Sequence, residues 1–376
     1  MHLLDLLVGG AVKTIIDEAL GRKGATARRY LSPPPPAGGY AEDAGADREL
    51  ASILEDLRPS IKVVGCGGGG CNTVARLYSI GIEGAELIAA NTDAQHLHLV
   101  HAPKKILLGR KTTRGLGAGA LPRLGEEAAR EAEDEIAASL EGADMVFVTC
   151  GLGGGTGTGA IATVAEIARK QGALVVACTT IPFRGEGRMR MESAIWGIER
   201  LRRAADTYIL VPNDRLLEIT PRLPLNAAFK VADEILTLTI RGITEMIARP
   251  GLVNLDFNDV RTLMKDGGPA VVGIGGSEGS GEVRAKEATA HALHSPLLDA
   301  DLSTATGVLV NVTSGAETSI REVTEVAEIV QRSVSKNARI IWGSVIDPAM
   351  EHRLKVLIIA TGVKHRLSEQ GREGEI

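Results

Sequence analysis

Gly153-Gly154-Gly155-Thr156-Gly157-Thr158-Gly159 stands between an apolar, strand-like run over 145–150 and an amphipathic helical pattern over 159–171. Glycines at that junction let a backbone close around a phosphate, and the helix start supplies free N–H groups and a positive dipole end. The run holds no lysine and lacks the Gly-Lys-Ser/Thr ending of a P-loop. Its donors must therefore be backbone N–H groups and the hydroxyls of Thr156 and Thr158, with a metal ion neutralising the phosphate charge. A flexible linker explains the run poorly, because ordered patterns flank it on both sides.

Upstream, a second glycine loop, Gly65-Cys66-Gly67-Gly68-Gly69-Gly70-Cys71-Asn72, also follows a strand-like run and opens a helix. By itself Gly65-x-Gly67-x-x-Gly70 fits a dinucleotide fingerprint, and Asn91-Thr92-Asp93 leaves room for an acidic ribose partner. An NAD-dependent dehydrogenase is thus one alternative. Two cradles on one sheet count against it, since a single pyrophosphate needs one and a triphosphate wrapped from two sides needs both. No acid or base for hydride transfer stands in an obvious place.

Composition narrows the classes further. The 376 residues are 44% hydrophobic and 24% charged, with only 3% aromatic, which disfavours a base-stacking platform for single-stranded nucleic acid. At roughly 100–200 residues per domain, the length suggests two domains or one large one. A net charge of −5, with 42 basic and 47 acidic residues and no basic block, argues against nucleic acid or an anionic membrane. Cys66, Cys71, Cys150 and Cys178 sit in or beside apolar runs and read as small buried hydrophobes. No run reaches the length of a membrane span, and no leader pattern opens the chain, so a cytoplasmic protein is expected.

Along the chain, residues 3–20 carry an apolar helical stripe, followed by Ser32-Pro33-Pro34-Pro35-Pro36-Ala37-Gly38-Gly39 as a linker. Strands are expected at 61–65, 86–91, 105–108, 145–150, 173–179 and 207–211, with helices at 125–140, 159–171 and 188–204. That alternation predicts an α/β fold with a doubly wound parallel sheet. A long helix over 225–248 opens after Pro224 and stops at Pro250-Gly251. Beyond it, strands at 270–275, 307–313, 338–345 and 355–361 alternate with helices at 282–294 and 319–333, enough for a smaller α/β C-terminal domain. The expected divisions are 1–45 as appendage and linker, 46–224 as the nucleotide domain, 225–250 as central helix, 251–364 as the C-terminal domain and 365–376 as a polar tail.

With these motifs in order, the chain resembles the tubulin/FtsZ GTPases over roughly residues 60–363. The resemblance rests on both glycine loops and on Asn91-Thr92-Asp93-Ala94-Gln95 and Thr113-Arg114-Gly115-Leu116-Gly117-Ala118-Gly119. It also rests on Pro182-Phe183-x-x-Glu186-Gly187-x-x-Arg190, Pro212-Asn213 and Asn254-x-Asp256-x-x-Asp259. It implies the tubulin/FtsZ-like fold, GTP/GDP and Mg2+ as cofactors, and GTP hydrolysis.

The resemblance also assigns roles. Nucleotide contacts are implied for Gly67, Gly68, Gly69, Gly70, Asn72, Asn91 and Asp93, and for Gly153, Gly154, Gly155, Thr156, Gly157 and Thr158. Gly117, Ala118 and Gly119 would close over the γ-phosphate, Glu186 and Arg190 would meet ribose and base edge, and Phe229 would stack. Asn213 and Asp233 would contact guanine, the carboxylate accepting from N1–H and the exocyclic amine, a pair that adenine lacks. Asn254, Asp256 and Asp259 would enter the pocket of the next subunit and position the attacking water, making assembly head-to-tail and hydrolysis dependent on it.

Each residue has a plainer reading as well. Glu186 could serve a helix dipole, Asp233 could be solvated, and Asn254, Asp256 and Asp259 could cap the helix over 258–265. His96, His98 and His101 read as a solvated helix face rather than a metal site, so no protein metal ligands are expected. Gly69 and Cys71 depart from the usual first loop without removing a donor. The tail lacks the hydrophobic-basic peptide of bacterial relatives, which favours an archaeal form of the family. The expected partners are copies of the chain itself and a membrane adaptor, in a midcell division ring. A tubulin-like filament that shapes cells and a non-hydrolysing assembly regulator are the remaining alternatives.

Overall fold

The computed structural model describes residues 58–364 apart from 220–223, 250–252, 254, 280 and 299. The stripe over 3–20, the proline-glycine linker, Asn254 and the tail over 365–376 lie outside the described residues.

Ten strands form one sheet in the order β3-β2-β1-β4-β5-β6-β7-β10-β8-β9. The first six are β1 (Ile61–Cys66), β2 (Ala85–Asn91), β3 (Lys104–Leu107), β4 (Met145–Gly151), β5 (Leu174–Ile181) and β6 (Thr207–Pro212). They are mutually parallel, so their C-terminal ends share one edge. The helices between them are α1 (Gly67–Ile80), α2 (Ala94–Leu99), α3 (Pro122–Glu131), α4 (Glu133–Leu140), α5 (Thr156–Lys170) and α6 (Arg188–Ala204). After α7 (Asp214–Ile219) comes α8 (Leu225–Ala248), whose 24 residues end at the bounds expected from Pro224 and Pro250.

The remaining elements are α9 (Phe257–Met264), β7 (Gly268–Glu278), α10 (Gly281–Leu293), β8 (Gly307–Ser314), α11 (Ile320–Ser333), β9 (Arg339–Ile346) and β10 (Arg353–Thr361). They do not build a sheet of their own. β7 continues the ladder from β6 in parallel over Thr207↔Gly268, Tyr208↔Pro269 and Ile209↔Ala270. β10 then runs antiparallel between β7 and β8, and β9 returns parallel to β8.

Period-two alternation sends Val63, Phe147 and Val176 to one face and Val64, Val148 and Ala177 to the other. On the first face a single core runs across most of the sheet, from Leu87 in β2 to Ile341 in β9. It is covered largely by α8, which inserts Val231, Ile235, Leu236, Ile240 and Ile243. At about 1.5 Å per residue, the helix extends about 36 Å, enough to span several strands. The opposite face holds two separate cores. One lies under α3, α4, α5 and α6, with Ile161, Val164, Ile198 and Leu201. The other lies under α10 and α11, with Ala285, Ala288, Val323 and Val326.

Three local expectations need correction. The helix expected over 125–140 is two helices, broken at Ala132 (φ −98°, ψ 16°), and α3 begins earlier because Pro122 takes a first-turn position. α1 begins at Gly67 and α5 at Thr156, so both glycine loops run into the first helical turn. Asn72 consequently lies in the second turn of α1 rather than at its start. No helix among the described residues is long and apolar enough to cross a membrane. All four cysteines are buried and free, as expected.

Candidate functional site

Both glycine cradles sit at the edge where the parallel strands end, and they touch. Gly67 has φ +69°, and an added Cβ there would lie 2.6 Å from the Gly157 nitrogen, so only glycine lets the loops close to this distance. At Gly68 and Gly154, by contrast, a Cβ would meet no atom, and the space between the cradles opens there. Neither α1 nor α5 has a side-chain cap or an acidic residue in its first turn. Their leading N–H groups are thus left for a ligand, and the positive helix ends favour an anion. Thr158 is spent inside the chain, because its Oγ1 accepts from the Gly153 N–H at 2.9 Å and shapes the loop from within.

The end of β2 and the segment over 113–119 close this space from the side. Asp93 pairs with Leu116 in an isolated antiparallel bridge, and the Gly117 N–H donates to the Thr92 carbonyl at 3.2 Å. The Gly155 N–H donates to the Gly119 carbonyl at 3.1 Å, which joins the segment to the second cradle. Asp93 caps α2 by accepting from the His96 N–H at 2.9 Å, and Asn91 accepts from the Asp93 N–H at 3.3 Å. His96 is half-buried and faces Asn91 at 3.2 Å, so of the expected solvated helix face only His98 is exposed on α2, and the exposed His101 lies beyond the helix.

Beside the second cradle, Glu186 accepts from the Phe183 N–H at 2.8 Å and forms an ion pair with Arg190. An added Cβ at Gly153 would lie 2.9 Å from the Arg190 carbonyl, so this turn rests on the second cradle. Phe183 meets Phe229 edge to face with centroids 5.4 Å apart, and Phe229 stays 37% exposed. Asn213, buried just past β6, donates its backbone N–H to Ile181 at 3.1 Å. Its Oδ1 is buried with no partner among the described residues, which fits an acceptor awaiting a ligand N–H. Asp233 lies half-buried on α8, four residues after Phe229. Burial pushes its carboxyl up to about 7, against the pull of Arg76 and with Glu234 adding to the rise.

Asp256 and Asp259 lie elsewhere. Asp256 caps α9 by accepting from the Asn258 N–H at 3.1 Å, as the capping reading anticipated, and Asp259 occupies the first turn. Both are exposed, and neither carboxylate meets a cation among the described residues. Two residues on, Arg261 donates to the Gly172 carbonyl at 3.1 Å, immediately before β5 begins. Thr207 at the start of β6 donates to the Met264 carbonyl at 2.5 Å. These ties hold α9 at the N-terminal ends of β5 and β6, whereas the cradles occupy the C-terminal edge. β5 alone separates the edges by about 26 Å at about 3.3 Å per residue over its eight residues. One copy of the chain therefore does not bring the acids to its own cradles.

Comparison with known proteins converges on one family. Residues 60–221 match the model of the tubulin/FtsZ family GTPase domain, and residues 268–364 match the FtsZ family C-terminal domain. The chain is 54% identical over 353 residues to cell division protein FtsZ 1 of Archaeoglobus fulgidus, covering 94% of each. The chain belongs to the tubulin/FtsZ family. Cell division protein FtsZ 1 of Pyrococcus horikoshii is 55% identical over 320 residues, 85% of both chains. Among solved structures, an empty FtsZ dimer of M. jannaschii superposes with a TM-score of 0.81 at 51% identity, over 84% of this chain and 92% of that one. CetZ2 from Haloferax volcanii, at 22% identity and a TM-score of 0.72, shares the fold.

As an FtsZ-family GTPase the chain binds and hydrolyses GTP, and the dehydrogenase alternative falls away. Several contacts around the site carried no motif. The buried hydroxyls of Thr92 and Thr156 lie 2.6 Å apart and pin the second strand to the second cradle. Phe183 supports Phe229 from a distant segment. Arg76 on α1 pairs with the buried Glu234 on α8, 158 residues away. The only hint of that pair in the sequence was a charged residue on the apolar face of each helix.

Proposed function

We propose that this chain polymerises head-to-tail with GTP between the cradles of one copy and the segment over 254–259 of the next, and that the filament forms the cell-division ring. The observation that carries this reading is the opposite placement of the two halves. The cradles lie at one edge of the sheet, and the exposed Asp256 and Asp259, which meet no cation among the described residues, lie at the other. Stacking copies along that axis brings unlike edges together, which is a heterologous contact that does not close. The dimer solved for the M. jannaschii relative supports self-association, and the archaeal cell division relatives support a role in division.

In this reading the α1 and α5 N-termini bind the phosphates, with Gly67–Ile80 and Thr156–Lys170 directing their first-turn N–H groups toward them. The segment carrying Gly117, Ala118 and Gly119 closes over the γ-phosphate from its anchor on Gly155. Asn213 and Asp233 select guanine, and Phe229 packs on the base. Asn254, Asp256 and Asp259 of the neighbouring copy orient the water and accept its developing positive charge, which is the positioning that phosphoryl transfer needs. Among the described residues, no three His, Cys, Asp or Glu side chains gather to hold a metal. Asp93 and the Thr156 hydroxyl are the protein oxygens beside the cradles that would help hold Mg2+ together with nucleotide oxygens and water. When bound, Mg2+ neutralises phosphate charge. A division-machinery adaptor would tether the filament to the membrane.

Electron microscopy with Mg2+ and GTP, and separately with GDP, tests this directly. Filaments are expected with GTP and sparse or absent with GDP. Protein that binds GTP yet stays monomeric at all concentrations would overturn the reading. Asp256→Ala and Asp259→Ala are expected to bind GTP as tightly as the unmodified chain and to lose turnover.

A further inference from the structure

Among the described residues, the charged groups on the elements against the N-terminal half of α8 include Arg76 from α1, Asp214, Arg215 and Glu218 from α7, and Arg184, Glu186 and Arg190 after Phe183, with Lys230 and Glu234 on α8 itself. Of these, Arg76 and Glu234 act on Asp233. Glu234 is 4% exposed and forms an ion pair with the half-buried Arg76, in the third turn of the helix that begins at the first cradle. A buried ion pair of this kind contributes little net stability compared with apolar packing, so it is better placed to fix geometry than to hold the fold. Its location beside Asp233 indicates what it fixes.

We propose that Arg76, held by Glu234, is a positioning residue for guanine selection. It locks the helix of the first phosphate cradle to the helix carrying Asp233 and supports the Asp233 carboxylate that accepts from the base. This rests on Asp233 as the guanine-reading residue. Two effects follow from one contact. Phosphate-side and base-side contacts are registered to each other, and the positive guanidinium offsets part of the cost of burying Asp233 beside the negative Glu234. The direction of the charge effects supports this, since Arg76 favours the ionised Asp233 and Glu234 opposes it.

The test measures GDP and inosine diphosphate binding across pH 5.5–9 for the intact chain and for Arg76→Gln, Arg76→Lys, Glu234→Gln and Asp233→Asn, with folding checked by thermal melting. Inosine diphosphate lacks the exocyclic amine, so the ratio of the two constants reports the carboxylate contact. Arg76→Gln is expected to weaken GDP binding about tenfold at pH 7, the equivalent of about one pH unit of Asp233 ionisation, and to shift the binding midpoint alkaline. Its preference for GDP over inosine diphosphate should shrink. Arg76→Lys should restore most of both, and Glu234→Gln should shift the midpoint the other way, toward acid. If Arg76→Gln fails to fold, a near-unchanged midpoint in Arg76→Lys beside an acid shift in Glu234→Gln still decides the matter. Equal weakening of both nucleotides with no midpoint shift in any variant overturns the proposal and leaves the pair purely structural. Asp233→Asn binding both nucleotides like the intact chain would instead overturn the guanine-reading assignment beneath it.

Discussion

The hydroxyls of Thr92 and Thr156 lie 2.6 Å apart in the interior and join the end of β2 to the first turn of α5. One residue belongs to the side wall of the nucleotide space and the other to the second cradle. Thr92→Val preserves shape but removes this partner from a buried hydroxyl, a loss of about 1–3 kcal/mol. A lowered melting temperature and a several-fold weaker GDP titration are expected. A variant matching the intact chain in both would show that the junction does not organise the site.

Asp233 gives the site a proton dependence with a defined sign. Its folded-state value of about 7 lies above the ordinary carboxylate range, so in the nucleotide-free chain ionising it costs stability as pH rises from about 4 through 7. Asp233→Asn should therefore melt higher than the intact nucleotide-free chain at pH 8, with the gap closing near pH 4. In the proposed reading guanine donates to the ionised form, so GDP binding near pH 6.5 should release a proton. Calorimetry in two buffers of different ionisation enthalpy reads that release, and identical heats in both would contradict the assignment.

Gly155 marks where the closing segment meets the cradle. A Cβ there would collide with the carbonyls of Ala118 and Gly119, while the Gly155 N–H holds Gly119. Gly155→Ala is expected to push the segment outward and weaken GTP binding at least tenfold, with GDP affected less because it lacks the γ-phosphate. Equal losses for the two nucleotides in titration would place the damage elsewhere.

Far from the site, Arg284 is 2% exposed and reaches Glu322 at 2.7 Å and Glu317 at 2.9 Å, tying α10 to α11. Arg284→Ala leaves Glu322 buried without its cation, a loss on the order of 3–5 kcal/mol. The melting temperature should drop by several degrees while GDP affinity of the folded protein stays constant. A large affinity change would mean that the C-terminal half communicates with the pocket through this cluster.

Much of this was legible in the sequence where local signals are strong. The parallel strands and α8 follow from apolar runs and from Pro224 and Pro250, and the glycine loops mark the cradles. Helix starts were placed late, because Gly67, Gly68 and Thr156 are poor helix residues that nonetheless adopt helical turns to offer their N–H groups. The join of β7 to β6 was hidden, since three ladder pairs leave no periodicity to read. Arg76–Glu234 and Phe183–Phe229 were equally hidden, being contacts between segments far apart in the chain. The separation of Asp256 and Asp259 from the cradles also required the sheet's direction to be known.

That separation is the centre of the account, and mixing two inactive variants tests it most directly. Asp259→Ala keeps its cradles and lacks the acid, whereas Gly155→Ala keeps the acids and lacks a working cradle. Each alone is expected to release little phosphate at GTP concentrations well below the weakened affinity of Gly155→Ala. Mixed, they should regain turnover in proportion to the junctions where an intact cradle meets intact acids. If the mixture stays as inactive as its components while both co-assemble, the acids do not act on a neighbour's nucleotide.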